Sequence, residues 1–504
     1  MKRLTLLLAV FCALSVCDAQ KKVRVHTIGD STMADYAENT TRTRGWGEMF
    51  QEFFTDDVEV INYARGGRST RSFMNEGLWD KVKANIQPGD YVFIQFAHND
   101  EKGGGTYSAD GRGTDPWGHY KRNLEIYVNE TRALQATPVL ITPIVRRYFT
   151  KEGTISDKGC HNLSKGEDRT ELDYVYVMKL VAREMNVPLI DHTALTKSFV
   201  ESLGAENTTR LIYVPTDGTH TQATGAALYA QMVAREMKRM DILARYVRPD
   251  APMILNPRSI DFGNIYVGDE ACARLDLTGI TMPKKNGIVT ITAPQGMSLA
   301  STPDGEKLSK LEIPYTDGKL WNQCYFVYYT PQSAGTVNDA ITVTCKKVKR
   351  TIPVTADCKK ITKETPKKIS VKRYTLKGLT DSEQGITIEK GKWSADIDES
   401  GSRYVEFFIK DMKQGFVAKK VTFTLKGNVA YRVASSESGD FYPRTDLGEN
   451  QKDSTDIQTI DLPINATIKP GERLAIRIFP WCTRENDNVH FSIENFTIEG
   501  LIIE

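Results

Sequence analysis

The sequence predicts an α/β domain followed by two all-β sandwich domains, and three observations carry that reading. Short β-branched runs alternate with helical stretches from residue 22 to about 245. The alternation stops at Arg248-Pro249-Asp250-Ala251-Pro252, where two prolines in four residues suggest a stiff linker. Beyond it the chain offers only strand-like runs separated by turn signals. A length of 504 residues, 40% of them hydrophobic and 26% charged, suits about three globular domains.

In the first domain, residues 20–247, strands are expected at Val23–Ile28, Val58–Asn62, Tyr91–Phe96, Pro138–Thr142 and Val187–Asp191. Tyr120–Ala136, Leu172–Met185 and Ala226–Met240 carry apolar residues at three- and four-residue intervals and read as covering helices. The pattern implies a parallel sheet with helices on both faces. From 253 to 358 short strands such as Ile288–Thr292 and Cys324–Tyr329 fit an immunoglobulin-like sandwich. The basic run Lys359–Lys368 reads as a second linker, and residues 366–504 as a jelly-roll-like sandwich. There Trp481 and Phe479, with Tyr442, are candidates for a sugar-stacking platform.

Lys2 and Arg3 precede the apolar run Leu6–Val16, and small residues follow at Cys17-Asp18-Ala19, so residues 1–19 read as a signal peptide cut before Gln20. The run is far short of the ~20 residues of a spanning helix. The expectation is an exported protein: periplasmic, cell-surface or secreted, with no membrane-spanning segment. The formal charge of +2 falls to +1 without the leader, since Lys2, Arg3 and Asp18 sum to +1. That balance offers no electrostatic case for a nucleic-acid partner. Of eight cysteines, Cys12 and Cys17 lie in the leader; the six that remain show no metal-binding spacing, and their pairing is open.

The chemistry gathers around Val23-Arg24-Val25-His26-Thr27-Ile28-Gly29-Asp30-Ser31-Thr32, where an apolar strand breaks at Gly-Asp-Ser as the chain turns toward a helix. Ser31 reads as a nucleophile, although Asp-Ser-Thr is also good helix-capping chemistry. A weak alcohol needs a base, an orienter for that base and donors for the oxyanion. Asp217 and His220 lie three residues apart before the last helix, so one turn can set carboxylate against imidazole while the other ring nitrogen faces Ser31. Asn99 supplies a neutral amide donor where a carboxylate would repel a forming O⁻. Gly67, after the second strand, lacks a side chain that would keep a backbone N–H from that oxygen.

Four blocks carry a family resemblance: Gly29-Asp30-Ser31-Thr32, Asn62-Tyr63-Ala64-Arg65-Gly66-Gly67-Arg68-Ser69, Phe96-Ala97-His98-Asn99-Asp100 and Asp217-Gly218-Thr219-His220. In this order they resemble the SGNH (GDSL-like) hydrolases, and more narrowly the rhamnogalacturonan acetylesterases. The resemblance implies a three-layer, flavodoxin-like domain, catalytic Ser31, His220 and Asp217, and an oxyanion hole built from Ser31, Gly67 and Asn99. It also implies a serine carbohydrate esterase that removes O-acetyl groups from pectic polysaccharide, with no metal or organic cofactor. His98, Arg68, Arg146 and Arg147 fall near the expected mouth, and guanidinium forks there would suit the carboxylates of a polyuronate. His98, Asp100 and the distant His161 lack paired-ligand spacing, so no metal site is expected. The rival readings are an esterase of the same fold acting on acetylxylan or another glycan, and an inactive glycan-binding scaffold. Oligomeric state is left open.

Overall fold

The computed structural model describes residues 22–36, 42–107, 111–390, 403–427, 429–437, 445–447, 457–482 and 487–504. Residues 1–19, the expected leader, and Tyr442 lie outside the described residues.

The first domain is built on five parallel strands: β1 (Val23–Gly29), β2 (Val58–Asn62), β3 (Tyr91–Gln95), β4 (Thr137–Ile141) and β5 (Leu189–Ile190), in the order β2-β1-β3-β4-β5. Alternate side chains explain the layering. Val25 and Phe93 face one side and Ile28, Val92 and Ile94 the other, all fully buried, so both faces of the sheet need a cover. On the first side lie α1 (Trp46–Phe50), α6 (His192–Leu203) and α8 (Ala223–Arg239); α2 (Thr70–Asn75), α3 (Leu78–Lys83), α4 (Lys121–Ala133) and α5 (Tyr174–Glu184) supply the second cluster, while α7 (Ala205–Asn207) is a single turn. This is a three-layer α/β fold with flavodoxin-like order. Its strand order reverses between β1 and β3, and ligands in such sheets bind beyond the carboxyl ends of the strands at that point.

Local chemistry accounts for where the elements depart from the sequence pattern. Asp173 and Asp191 accept backbone N–H bonds as N-caps, which starts α5 at Tyr174 and cuts β5 to two residues. Asp115 caps a π-helical turn, Pro116–Tyr120, that leads into α4. The segment around Ser31 does not enter a helix: the N–H groups of Met33 and Ala34 close one turn on the Asp30 carbonyl, and the chain then runs on.

The second domain packs a four-stranded sheet, ordered Met297–Ala300, Leu320–Tyr329, Ala271–Gly279, Met253–Asn256, on a five-stranded one. It is docked firmly on the first. Arg44 Nε meets Asp276 Oδ2 at 2.6 Å with both side chains buried, Thr224 and Thr278 share a 2.6 Å hydroxyl contact, and Glu52 pairs with Arg258 and Arg350. The third domain is a pair of antiparallel sheets, with Phe407 stacked on Phe496 at 3.9 Å in its core. Two expectations are corrected here. Glu364–Ser370 of the supposed linker is a strand pairing with Val489–Ile503, its lysines facing solvent or Glu499 as suits an edge. Phe479 and Trp481 are core residues, 1% and 8% exposed, so they form no open stacking platform. Cys160, Cys272, Cys324, Cys345 and Cys358 are free thiols. Among the described residues no helix is long and apolar enough to cross a membrane.

Candidate active site

Ser31 stands two residues beyond the end of β1, on a turn held by its neighbours. Asp30 Oδ1 accepts from Thr32 N at 2.9 Å and from Thr32 Oγ1 at 2.8 Å, a local closure that lifts the serine out of the sheet. Asn62, at the end of β2, fastens the far side of the turn: its Nδ2 donates to Met33 O at 2.8 Å and its Oδ1 accepts from Thr27 Oγ1 at 2.6 Å. Ser31 itself is half-buried.

The late loop brings His220 to this hydroxyl across 189 residues of sequence. His220 Nε2 lies 2.8 Å from Ser31 Oγ, and His220 Nδ1 lies 2.6 Å from Asp217 Oδ2. Asp217 Oδ1 accepts the backbone N–H groups of Thr219 at 2.6 Å and His220 at 3.1 Å. Partial burial pushes the Asp217 carboxyl up, but the bonds from His220 and the two backbone donors outweigh it and hold the group well below the usual carboxylate range. It is ionised wherever the imidazole needs a partner.

On the opposite side the loop after β2 returns to β1, with Arg65 N on Gly29 O at 3.0 Å. Gly67 sits at φ +78°, a left-handed conformation, with open space where a Cβ would be; the glycine is required for its backbone angle rather than to avoid a clash. Asn99 is 6% exposed, and its Nδ2 donates to Arg68 O at 3.1 Å, so the amide is tied to the Gly67 loop. Asp100 reinforces that tie by accepting from Thr70 N, Thr70 Oγ1 and Thr114 Oγ1.

Burial pushes the Asp100 carboxyl up to about 7. The folded protein therefore keeps a proton that the unfolded chain loses near pH 4, and stability falls as pH rises from about 4 toward 7. Asp100→Asn is expected to flatten the dependence of unfolding free energy on pH by about 4 kcal/mol over that window. Parallel denaturant titrations at pH 4, 6 and 8 read this directly; identical slopes in variant and parent would refute it.

The predicted binding residues are placed differently from expectation. His98 is 2% exposed, its Nδ1 3.0 Å from Asp30 Oδ2. Burial pushes the ring down to about 4, while for Asp30 burial is outweighed by His98 and Thr32 and the carboxyl is held at about 2. A neutral imidazole thus donates to a carboxylate directly beneath the serine turn. Arg146 spans Glu101 Oε1, His98 O and Thr219 Oγ1, and Arg147 spans Asp217 O, Pro215 O and Thr209 Oγ1. Their guanidiniums brace the histidine loop instead of forking into solvent, because that loop's carbonyls need donors once it folds over β4. Arg68 is part-exposed and pairs with Glu76 at 2.7 Å.

Several contributors were not expected. His161, far away in sequence, stands 4.4 Å from the His98 ring, with Nδ1 on Glu101 Oε2 at 2.9 Å and Nε2 on Ile144 O at 2.8 Å. Tyr36 Oη donates to Ser31 O at 2.9 Å and its ring meets His220 edge-on. Tyr148, 38% exposed, lies against Gly218. Only the aromatic type of these two tyrosines was a signal in the sequence. Among the described residues no group of three His, Cys, Asp or Glu side chains is arranged to hold a metal ion.

Residues 25–233 match the GDSL-like lipase/acylhydrolase family. The chain is 33% identical over 235 residues to rhamnogalacturonan acetylesterase RhgT of Bacillus subtilis, covering 44% of this chain and 93% of that protein. It is 32% identical over 223 residues to a rhamnogalacturonan acetylesterase of Emericella nidulans, covering 43% and 86%. Among solved structures, the acetylxylan esterase Axe2 of Geobacillus stearothermophilus aligns at 19% identity and a TM-score of 0.32, over 43% of this chain and 94% of that one. With such coverage of its relatives, the chain belongs to the GDSL-like (SGNH) lipase/acylhydrolase family and is a carboxylic ester hydrolase.

Proposed function

We propose that this hydrolase is an exported serine carbohydrate esterase that removes O-acetyl groups from pectic rhamnogalacturonan, with Ser31, His220 and Asp217 as its triad. The observation that carries the reading is the unbroken chain of contacts from Asp217 Oδ2 through the His220 ring to Ser31 Oγ, at 2.6 and 2.8 Å. His220 Nε2 takes the serine proton as Oγ attacks the acetyl carbonyl, and Asp217 steadies the imidazolium. The backbone N–H groups of Ser31 and Gly67 and the Asn99 amide receive the tetrahedral oxyanion. Collapse expels the sugar oxygen, which His220 protonates. Water, activated by the same ring, then attacks the acetyl-serine ester and releases acetate.

The sugar substrate is supported by the relatives named above and by the exposed Tyr148 ring beside the histidine loop, a surface suited to stacking on a pyranose. A hollow of about 360 Å³ next to Gly67, bordered by Arg68, Ser72, Asn75, Glu76 and Arg112, offers donors and acceptors to a hydroxyl-rich chain beside the ester. Export rests on Lys2-Arg3 and the apolar run behind them. Acetate release measured side by side is expected to be at least about tenfold more efficient, in kcat/KM, on acetylated rhamnogalacturonan than on acetylxylan. Equal or reversed preference would overturn the pectic assignment while leaving the esterase chemistry standing.

A further inference from the structure

A cleft of about 920 Å³ opens beside the nucleophile turn, and its walls come from all three domains. Asp35 and Tyr36 form the inner end, Ser259 and Phe262 belong to the first sandwich, and Thr467 and Lys469 to the second. Tyr36 places this space next to the chemistry, since its hydroxyl bonds the Ser31 carbonyl at 2.9 Å and its ring centroid lies 6.5 Å from that of His220. Lys469 Nζ reaches Phe262 O at 3.4 Å, so the two sandwiches are joined where they border the cleft. The alignment with RhgT uses 44% of this chain and 93% of that protein, which leaves that relative no room for two of the three walls.

We propose that the cleft binds the polysaccharide chain on one side of the acetylated sugar, extending the substrate site well beyond the α/β domain; this rests on the glycan-esterase reading above. The lining chemistry selects the ligand class. Acidic and basic side chains line the cleft in equal number, so it offers hydrogen-bond acceptors and donors together with no excess of cation. A phosphate or nucleic acid would call for excess cation, and an acyl chain for an apolar wall. A hydroxyl-rich chain uses both kinds of partner at once, and the volume is in the upper part of the range of about 300–1,000 Å³ typical of ligand sites.

Ser259→Trp and Thr467→Trp, from opposite walls, would fill the cleft without touching the triad or the oxyanion donors. In the full-length chain each is expected to lower kcat/KM on acetylated rhamnogalacturonan about tenfold, mainly through KM, with p-nitrophenyl acetate turnover unchanged. Titration calorimetry of deacetylated rhamnogalacturonan against full-length Ser31→Ala, with and without each filling substitution, reads the cleft without turnover. The same substitutions are expected to weaken that binding about tenfold. Polymer kinetics and binding unchanged in both variants would overturn the cleft assignment, as would a failure of the Ser31→Ala chain to bind the polymer at all. A parent chain that binds the polymer in the cleft but hydrolyses neither ester would strike the catalytic reading instead.

Discussion

Ser31→Ala is expected to cut p-nitrophenyl acetate hydrolysis by about 10⁵–10⁶-fold in kcat while leaving the domain folded. Its hydroxyl is the only group in hydrogen-bond reach of His220 Nε2 among the described residues, and without it no acyl-enzyme forms. The fold does not lean on that oxygen. The turn is closed by Asp30, Thr32 and Asn62, and the Ser31 carbonyl keeps its bond from Tyr36. Unfolding free energy is therefore expected to change by no more than about 0.5 kcal/mol, read by denaturant titration beside the kinetic assay. Turnover within tenfold of the parent would remove Ser31 from the mechanism.

The reason this residue was legible in the sequence also explains what was not. Strand ends in a doubly wound sheet are defined by strong local signals: Val23 to Ile28 is unmistakably a buried strand, and Gly29-Asp30-Ser31 ends it. The same holds for Asn62 and for Asn99, a few residues beyond β3, so the positions that meet at the switch point could be named before their geometry was known. The short helices α1, α2 and α3 carry too few turns for a periodic pattern, and their helicity is imposed by packing against the sheet. α6 was not among the expected helices, because β-branched Thr193, Thr196 and Val200 lower its helix propensity, although Asp191 offers a capping signal.

Side-chain roles beyond the triad were less accessible, since an arginine near a site looks the same whether it meets substrate or carbonyls. Arg146 and Arg147 were expected at the mouth, yet they hold the loop that carries Asp217 and His220, and with it the 2.8 Å contact to Ser31. The buried set Asp30, His98, His161, Glu101 and Arg146 links the residue before Ser31 to the residue before His220. Glu101 is held at about 2, where burial is outweighed by His161 and Arg146. Only tertiary contact between β1, the loop after β3 and the loop after β4 creates that set, and no spacing in the chain announces it.

Asp217→Asn is expected to cost about 10⁴-fold in kcat. The amide can still accept the N–H groups of Thr219 and His220 through its oxygen, which now fill Asp217 Oδ1, so the loop keeps its shape. What then faces His220 Nδ1 is an NH₂ group, a donor where an acceptor stood 2.6 Å away. The imidazole answers by placing its proton on Nε2, toward Ser31, and in that tautomer it offers the serine no lone pair. Two readouts separate this tautomer effect from a collapsed loop. The strongly downfield Nδ1–H resonance expected of the parent should vanish in the variant, and the thermal midpoint should stay within a few degrees. A variant that retains both the resonance and more than a tenth of parental kcat would show that the carboxylate neither orients nor charges the catalytic ring.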